Sequence, residues 1–364
     1  MLICRKNLIF VYLNNSIMKP IQTGIASYGM SGSVFHAPFL DIHPMFELHT
    51  IVERSKDNAS KRYPDVNIVR SFDELINNPD IRLVVVNTPD VTHYEYAKKA
   101  LLAGKDVVVE KPFVFDVNEG YELISLAEEK KRMLAVYQNR RWDGDFLTIK
   151  KVIETGALGR VVEFHSAYQR YRNVVMEGTW KEKADKRVGL TYNLGSHMID
   201  QAVVLFGMPT AVYADIDILR DGGEVDDYYN IQLIYPHVKV SLRAGYLIRE
   251  ETPRYYVNGT SGSFVKYGLD PQEELLKTGV SPSGPEWGKE KESEWGILNT
   301  DISGLHYRGK VETIPGNYAA FYDDIYKALS TGVKPLTDAS HVLSVIRIIE
   351  AAFKSKESKQ IMYL

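Results

Sequence analysis

"TGIASYGMSG", residues 23–32, follows the start of an apolar run and precedes Val34, Phe35 and Phe39, so it reads as the link between a strand and a helix. Against the pattern G-x-G-x-x-G its three glycine slots hold Ser27, Gly29 and Gly32. In such a turn the second glycine lets the backbone approach a pyrophosphate and the third lets the helix pack on the sheet, whereas the first only tightens the bend. Serine in the first slot is therefore tolerable, and Ser27, Tyr28, Gly29, Met30, Ser31 and Gly32 form a candidate dinucleotide-binding loop. Glu53 ends the next strand, where a carboxylate can accept hydrogen bonds from an adenosine ribose and favours NAD. Arg54 and Ser55 follow it and suit a 2′-phosphate, which favours NADP. These residues leave NAD and NADP both open. The bland alternative is a Rossmann-like sheet that binds something else.

Outward from this loop, residues 21–139 alternate apolar runs with helical patterns, the rhythm of a parallel sheet covered by helices. The strands read as IQTGIA, FELHTIVE, VNIV, RLVVVN, DVVVE and MLAVYQN. Thr92 with Glu95, and Asp116 with Glu119, have capping-box spacing ahead of two of the helices, and Gly104 closes the first. After Gly156 the rhythm changes to long, partly alternating segments, VVEFHSAYQRYR, TAVYADIDILR, DYYNIQLIY, VKVSLRAGYLI and RYYVNGTSGSFVKYG. These predict a mostly antiparallel open sheet, interrupted by the helix LGSHMIDQAVVLFG and closed by two terminal helices. The fold class is thus an α/β Rossmann domain with helices on both faces, residues 19–140, followed by an α+β domain, residues 141–364. Residues 270–298 read as a long loop. Residues 1–18 read as an extension outside the fold, with Met18 the working start.

The 364 residues are 45% hydrophobic and 25% charged, enough for two substantial cores. A formal net charge of -3, with no basic run carrying interleaved aromatics, argues against a nucleic-acid partner. The single cysteine, Cys4, can form neither an intrachain disulfide nor a thiolate metal site, so no metal is expected, and a reducing, cytoplasmic setting fits. No stretch of about 18 apolar residues predicts a membrane span.

Two further stretches fall at the carboxyl ends of predicted strands, where open α/β sheets bind ligands: NTPDVTHYEYA, residues 87–97, and VVVEKPFVF, residues 107–115. A lysine at Lys111, beside a positive nicotinamide ring, would have a lowered pKa and donors aimed at a substrate oxygen. The plain alternative is a surface lysine in a turn before Pro112. In TYNLGSHMID, Asn193 and His197 are four apart and share a face if both are helical, with Asp200 three further on. A histidine there can take a hydroxyl proton. The plain readings are Asn193 as a helix N-cap and His197 as a buried structural histidine.

GIASYGMSG, TPDVTHYEYAKKALLAGKDVVVEKP, NRRW and LGSHMIDQ, in that order and at these distances, resemble the Gfo/Idh/MocA oxidoreductases from about Met18 to the last helix. The resemblance implies that Lys111 contacts nicotinamide and substrate, and that Thr88, Pro89, His93, Glu110, Pro112 and Asn139 line the cofactor pocket. It also implies an aspartate four residues before the catalytic histidine, where this chain has Asn193. Asparagine keeps a hydrogen bond but supplies no charge and cannot relay a proton. The site then has His197 as general acid/base, Lys111 as alkoxide stabiliser and Asn193 as orienter. Arg140, Trp142, Tyr171, Trp180 and Tyr256 are candidate contacts to a polyhydroxylated ring.

The segment GTSGSFVKYGLDPQEE, residues 259–274, resembles the branch that includes scyllo-inositol dehydrogenases acting with NADP. The leading expectation is hydride transfer between a sugar or cyclitol carbinol carbon and NAD or NADP. A glycoside hydrolase using NAD on the same fold, and a regulatory protein that binds dinucleotide without turnover, are the alternatives. Homodimers or homotetramers through an apolar face of the second sheet are the expected assembly.

Overall fold

The structure is a computed structural model describing residues 12–13, 16–17, 19–176, 182 and 188–364. Of the expected extension it describes only β1 (Tyr12–Leu13) and β2 (Ser16–Ile17), paired antiparallel; the remainder of residues 1–18, like Trp180, lies outside the described residues.

The first sheet holds β3 (Ile21–Ile25), β4 (Phe46–Val52), β5 (Asn67–Val69), β6 (Leu83–Val86), β7 (Asp106–Val109) and β8 (Leu134–Val136). All pairs are parallel in the order β5-β4-β3-β6-β7-β8, so the chain reverses direction across the sheet beside β3, where a crevice opens at the strand ends. The residues of β6 and β7 are buried throughout, as expected for strands covered on both faces. The helices are α1 (Ala37–Ile42), α2 (Asn58–Arg62), α3 (Phe72–Asn77), α4 (His93–Leu102) and α5 (Val117–Lys130). Of the two expected caps, Asp116 accepts from the Asn118 N–H. The Thr92 box does not form, because its hydroxyl is drawn back to the Pro89 carbonyl and the Thr88 hydroxyl.

The second sheet has nine strands: β9 (Val161–Gln169), β10 (Ala211–Asp217), β11 (Tyr228–Ile234), β12 (Lys239–Gly245), β13 (Tyr255–Gly259), β14 (Gly262–Lys266), β15 (Gly296–Ile302), β16 (Leu305–Val311) and β17 (Met362–Tyr363). Their order is β16-β15-β14-β13-β9-β12-β11-β10-β17, antiparallel except for β9 with β12. The helices α6 (Gly144–Glu154), α7 (Ser196–Phe206), α8 (Gln272–Lys277), α9 (Ala319–Thr331) and α10 (Ala339–Ser358) complete the chain. The expected loop over 270–298 therefore contains α8 and the start of β15. No helix among the described residues is long and apolar enough to cross a membrane.

One face of this sheet is packed. Val212, Ala214 and Ile216 alternate inward on β10, as do Tyr229, Ile231 and Leu233 on β11. The other face carries Asp215, Tyr228, Asn230, Gln232, Ser241, Arg243 and His165. It is polar with scattered tyrosines, which corrects the expectation of an apolar surface: the outward set of YYNIQLIY is Tyr228, Asn230, Gln232 and Ile234.

The terminal helices tie the two sheets together. On α10, Leu343 packs so closely on α5 that a Cβ at Gly120 would lie 2.2 Å from it. On α9, Tyr322 meets Phe46 of β4 at 5.6 Å between ring centroids. Between the sheets, Arg141 binds Asp200 of α7 through two hydrogen bonds of 2.7 and 2.6 Å and also donates to the Leu336 carbonyl. Both partners are buried. Removing one leaves the other charged, dry and unpaired, so Asp200→Ala is expected to lower the unfolding free energy by about 3–5 kcal/mol. Arg141→Met in the same chain should recover much of that loss, as read by denaturant unfolding.

Candidate active site

The loop after β3 is built as its sequence suggests, with one addition. Asn87, at the end of β6, accepts from the Ser27 N–H at 3.0 Å and donates to the Ser27 carbonyl at 2.8 Å. The Ser27 hydroxyl in turn accepts from the Gly29 N–H at 3.3 Å. The first slot is thus pinned by side chains. A Cβ at Gly32 would lie 2.1 Å from the Ser27 carbonyl oxygen, so the protein itself demands glycine there; at Gly29 the nearest atom would be the Ser27 hydroxyl at 3.5 Å. Gly29 is open on the side where a ligand backbone would approach, which fits a pyrophosphate in this loop. Residues Ser31–His36 then form a π-helical turn before α1.

A cleft of about 570 Å³ runs along these strand ends, walled by Tyr28, Gly29, Thr88 and Pro89 and, at its far end, by Arg54, Ser55, Lys56 and Arg70. Glu53 also lines it but is committed elsewhere: its carboxylate accepts from the Asn58 and Ala59 N–H groups at 3.2 and 2.8 Å and caps α2. Arg70 donates to the Glu53 and Lys56 carbonyls and pairs with Asp57, while Arg54, Ser55 and Lys56 are exposed. A separate hollow of about 320 Å³ at the amino ends of the strands, walled partly by Arg82, Arg132 and Lys334, shares no residue with this cleft.

Lys111 follows β7 and is joined to Pro112 by a cis peptide bond. Its ammonium donates to the Asn193 side-chain oxygen at 2.9 Å and main-chain oxygen at 3.2 Å, bridging the two sheets. Asn193 is not a cap. It sits inside a π-helical turn, Thr191–Gly195, that leads into α7, and its own N–H donates to the Gly189 carbonyl. His197, in the first turn of α7, is 4% exposed. Its Nδ1 donates to the Gln138 side-chain carbonyl at 3.1 Å, which leaves Nε2 with a lone pair. Burial above all, and then the charges of Lys111, Arg140 and Arg254, hold its pKa well below 6.5. The sequence suggests Asn193 as the orienter of His197. Here Gln138, at the end of β8, orients the ring and Asn193 orients the lysine.

Several candidates have other duties. His93 is fully buried, with Nδ1 2.8 Å from the Pro112 carbonyl and Nε2 3.1 Å from the Thr88 carbonyl, so it braces two loops instead of lining the pocket. Glu110 is buried and turned toward Ser31 and His36. Asn139 is buried at the start of a 3₁₀ turn. Arg140 pairs with Asp143 and Glu273 and lies over the Tyr168 ring at 5.5 Å. Trp142 is a core residue against Phe321, which removes it from the substrate contacts. Tyr256 sits beside His165 on the outer face of the sheet, because its neighbour Tyr255 faces Gln201 of α7. Tyr171 is 47% exposed under Arg249. A residue missed from the sequence is Arg254, fully buried, bonded to Gln201 and Tyr255 and close to Asp145.

Residues 21–138 match the family described as "Oxidoreductase family, NAD-binding Rossmann fold", and residues 150–364 match "Oxidoreductase family, C-terminal alpha/beta domain". Among curated proteins, scyllo-inositol 2-dehydrogenase (NADP(+)) IolW of Bacillus subtilis is 40% identical over 94% of this chain and 96% of its own. The uncharacterized oxidoreductase C115.03 of Schizosaccharomyces pombe is 41% identical over 95% of this chain and 100% of its own. A crystal structure of a provisionally designated oxidoreductase from Bacteroides fragilis is 53% identical, covers 95% of this chain and 100% of its own, and superposes with a TM-score of 0.89.

The two loop glycines are expected to respond differently. Gly32→Ala should cost about 1–3 kcal/mol of stability through its clash with the Ser27 carbonyl. Gly29→Ala should leave the thermal midpoint within about 2 °C, since its added methyl makes only an ordinary van der Waals contact with the Ser27 hydroxyl. Thermal unfolding of both variants without ligand checks the contrast.

Proposed function

Because this chain belongs to the Gfo/Idh/MocA family of oxidoreductases, with its NAD-binding Rossmann fold, we propose that it is an NADP-dependent dehydrogenase acting on a CH–OH group of a cyclitol or sugar. The observation that carries this reading is the meeting of Lys111, from the first sheet, with Asn193 four residues ahead of His197, from the second. Bound nicotinamide supplies the hydride acceptor or donor. Held neutral by burial and neighbouring cations, His197 takes the substrate hydroxyl proton at Nε2 while Gln138 fixes the ring through Nδ1. The Lys111 ammonium, steered by the Asn193 oxygens, steadies the alkoxide oxygen as that proton leaves. In the reverse direction His197 returns that proton to the nascent alcohol while the Lys111 ammonium steadies its oxygen.

The preference for NADP rests on the far end of the cleft. With the Glu53 carboxylate engaged by the amino end of α2, the groups turned outward there are Arg54, Ser55 and Lys56, which suit a 2′-phosphate better than a ribose diol. The cyclitol preference rests on the likeness to the Bacillus subtilis inositol dehydrogenase across nearly the full length of both chains. Association of copies through the open, tyrosine-bearing face of the nine-stranded sheet belongs to the same reading.

The decisive assay follows absorbance at 340 nm on adding NADP+ and a panel of inositols and aldoses. Turnover with at least one supports the reading, and none with any, despite NADPH binding, would sink it. Arg54→Ala should raise the KM for NADP+ by about 10- to 100-fold, the worth of a charge-assisted hydrogen bond, and change that for NAD+ little.

The pH dependence has a definite sign. Alcohol oxidation needs neutral His197, so its rate is lost as pH falls through the depressed pKa of that residue. Asn193→Asp adds a negative charge near the ring and opposes the cations that depress it. The acid limb of kcat/KM should then move to higher pH by about 1 unit. A profile from pH 5 to 8 for both proteins is the measurement, at roughly half-unit steps.

A further inference from the structure

Lys111 is preceded by a buried carboxylate that the mechanism does not use. Glu110 accepts from the Ser31 hydroxyl at 2.5 Å and from His36 Nε2 at 3.1 Å on one oxygen, and from the Lys111 N–H at 3.0 Å on the other. His36 is fully buried; its Nδ1 meets the Tyr322 hydroxyl of α9 at 2.7 Å, and its ring lies 4.3 Å from that of Tyr137. The Tyr137 hydroxyl donates to the Phe35 carbonyl, so the end of this turn is held from both sides.

Ser31 and His36 are five residues apart and reach the same carboxylate oxygen. On an α-helix, five residues turn the chain by about 500°, which leaves the two side chains about 140° apart. A π turn closes its hydrogen bond over five residues and so brings positions i and i+5 closer together around the axis than an α-helix does. The Ala37 N–H to Gly32 carbonyl bond has that π spacing, and the turn spans Ser31–His36. The unusual turn and the shared carboxylate thus explain each other.

We propose that His36 is a positioning residue: with Ser31 it clamps Glu110, so that the glycine loop and the backbone of Lys111 form one rigid unit that presents loop and lysine in fixed register. The proposal rests on the reading of the loop as the cofactor site. The charge state of the clamp agrees with it. Burial alone would raise the Glu110 pKa, but hydrogen bonds from His36 and Ser31 and the nearby Lys111 charge bring it to about 2, so it stays an acceptor throughout the working pH range.

The test uses the full chain and four variants, His36→Leu, His36→Gln, Ser31→Ala and Tyr322→Phe. Two readouts are taken: NADPH affinity by fluorescence titration, and hydrogen exchange of the amides of residues 29–37 without cofactor. His36→Leu should weaken NADPH binding by about tenfold and speed exchange across the turn. His36→Gln, which can still donate to Glu110, should stay within about threefold of the parent. Ser31→Ala and Tyr322→Phe should shift both readouts the same way by less, and they carry the test if His36→Leu fails to fold. A His36→Leu protein that binds NADPH normally and exchanges normally, losing only thermal stability, would overturn the proposal and leave His36 as packing. If the parent chain itself binds no NADPH, the functional reading falls, while the exchange measurement still decides whether the clamp exists.

Discussion

A buried ion pair between the two sheets, Arg141 with Asp200, sets where everything else can sit. Two charges removed from water are tolerable only when each is matched with good geometry, and this pair is bidentate and further bonded to the Leu336 carbonyl. It fixes α7 against the turn that leaves β8, and the contacts that orient His197 and Lys111 follow from that docking. Gln138 lies three residues before Arg141, and His197 lies three residues before Asp200. The contact between His197 and Gln138 is therefore the neighbouring rung of the same seam. Lys111 then reaches across from β7 to the turn ahead of α7, closing the site from the other side.

The seam also accounts for the electrostatic character of the site. Lys111, Arg140 and Arg254 act on His197 with positive charge, while Arg140 is paired with Asp143 and Glu273 and Arg254 with Asp145. The two glutamates at strand ends show the same economy of placement. Glu53 is consumed by the amino end of α2 and Glu110 by Ser31 and His36, as a buried or half-buried carboxylate must find donors. What remains facing the cleft is mostly cationic or neutral.

Much of this architecture was legible in the residues. The six parallel strands, the loop at Ser27–Gly32, Lys111 at the end of an apolar strand and the helix carrying His197 all have patterns whose period or position has one physical meaning. Asn87 and Gln138 were not legible, because a polar residue at a strand end looks like any turn residue until the fold supplies its partner. The neighbours of His93, Glu110, Trp142 and Tyr256 are not legible for the reverse reason: each has a polar group suited to a ligand, and only tertiary packing decides that it also meets a carbonyl, an imidazole, a phenyl ring or the outer sheet face. The strand β16 leaves no mark in the sequence because its residues are mostly exposed, so no alternation of burial distinguishes them. The short helix α8 was hidden in a segment whose glycines and prolines suggested a loop.

One topological detail bears on how the molecule is made. The strand β9 lies at the centre of the nine-stranded sheet, between β12 and β13, yet it precedes both in the chain by many residues. As the polypeptide leaves the ribosome, β9 therefore emerges with both hydrogen-bonding edges bare and stays so until β12 and β13 have been synthesised. Pairing over such separations is slow, and a bare strand edge invites the wrong neighbour. The amino-terminal sheet needs nothing translated after β8 to pair its own strands, so it can assemble first and offer a surface on which the waiting half collects. Chaperone dependence during synthesis should accordingly concentrate in the interval between β9 and β13.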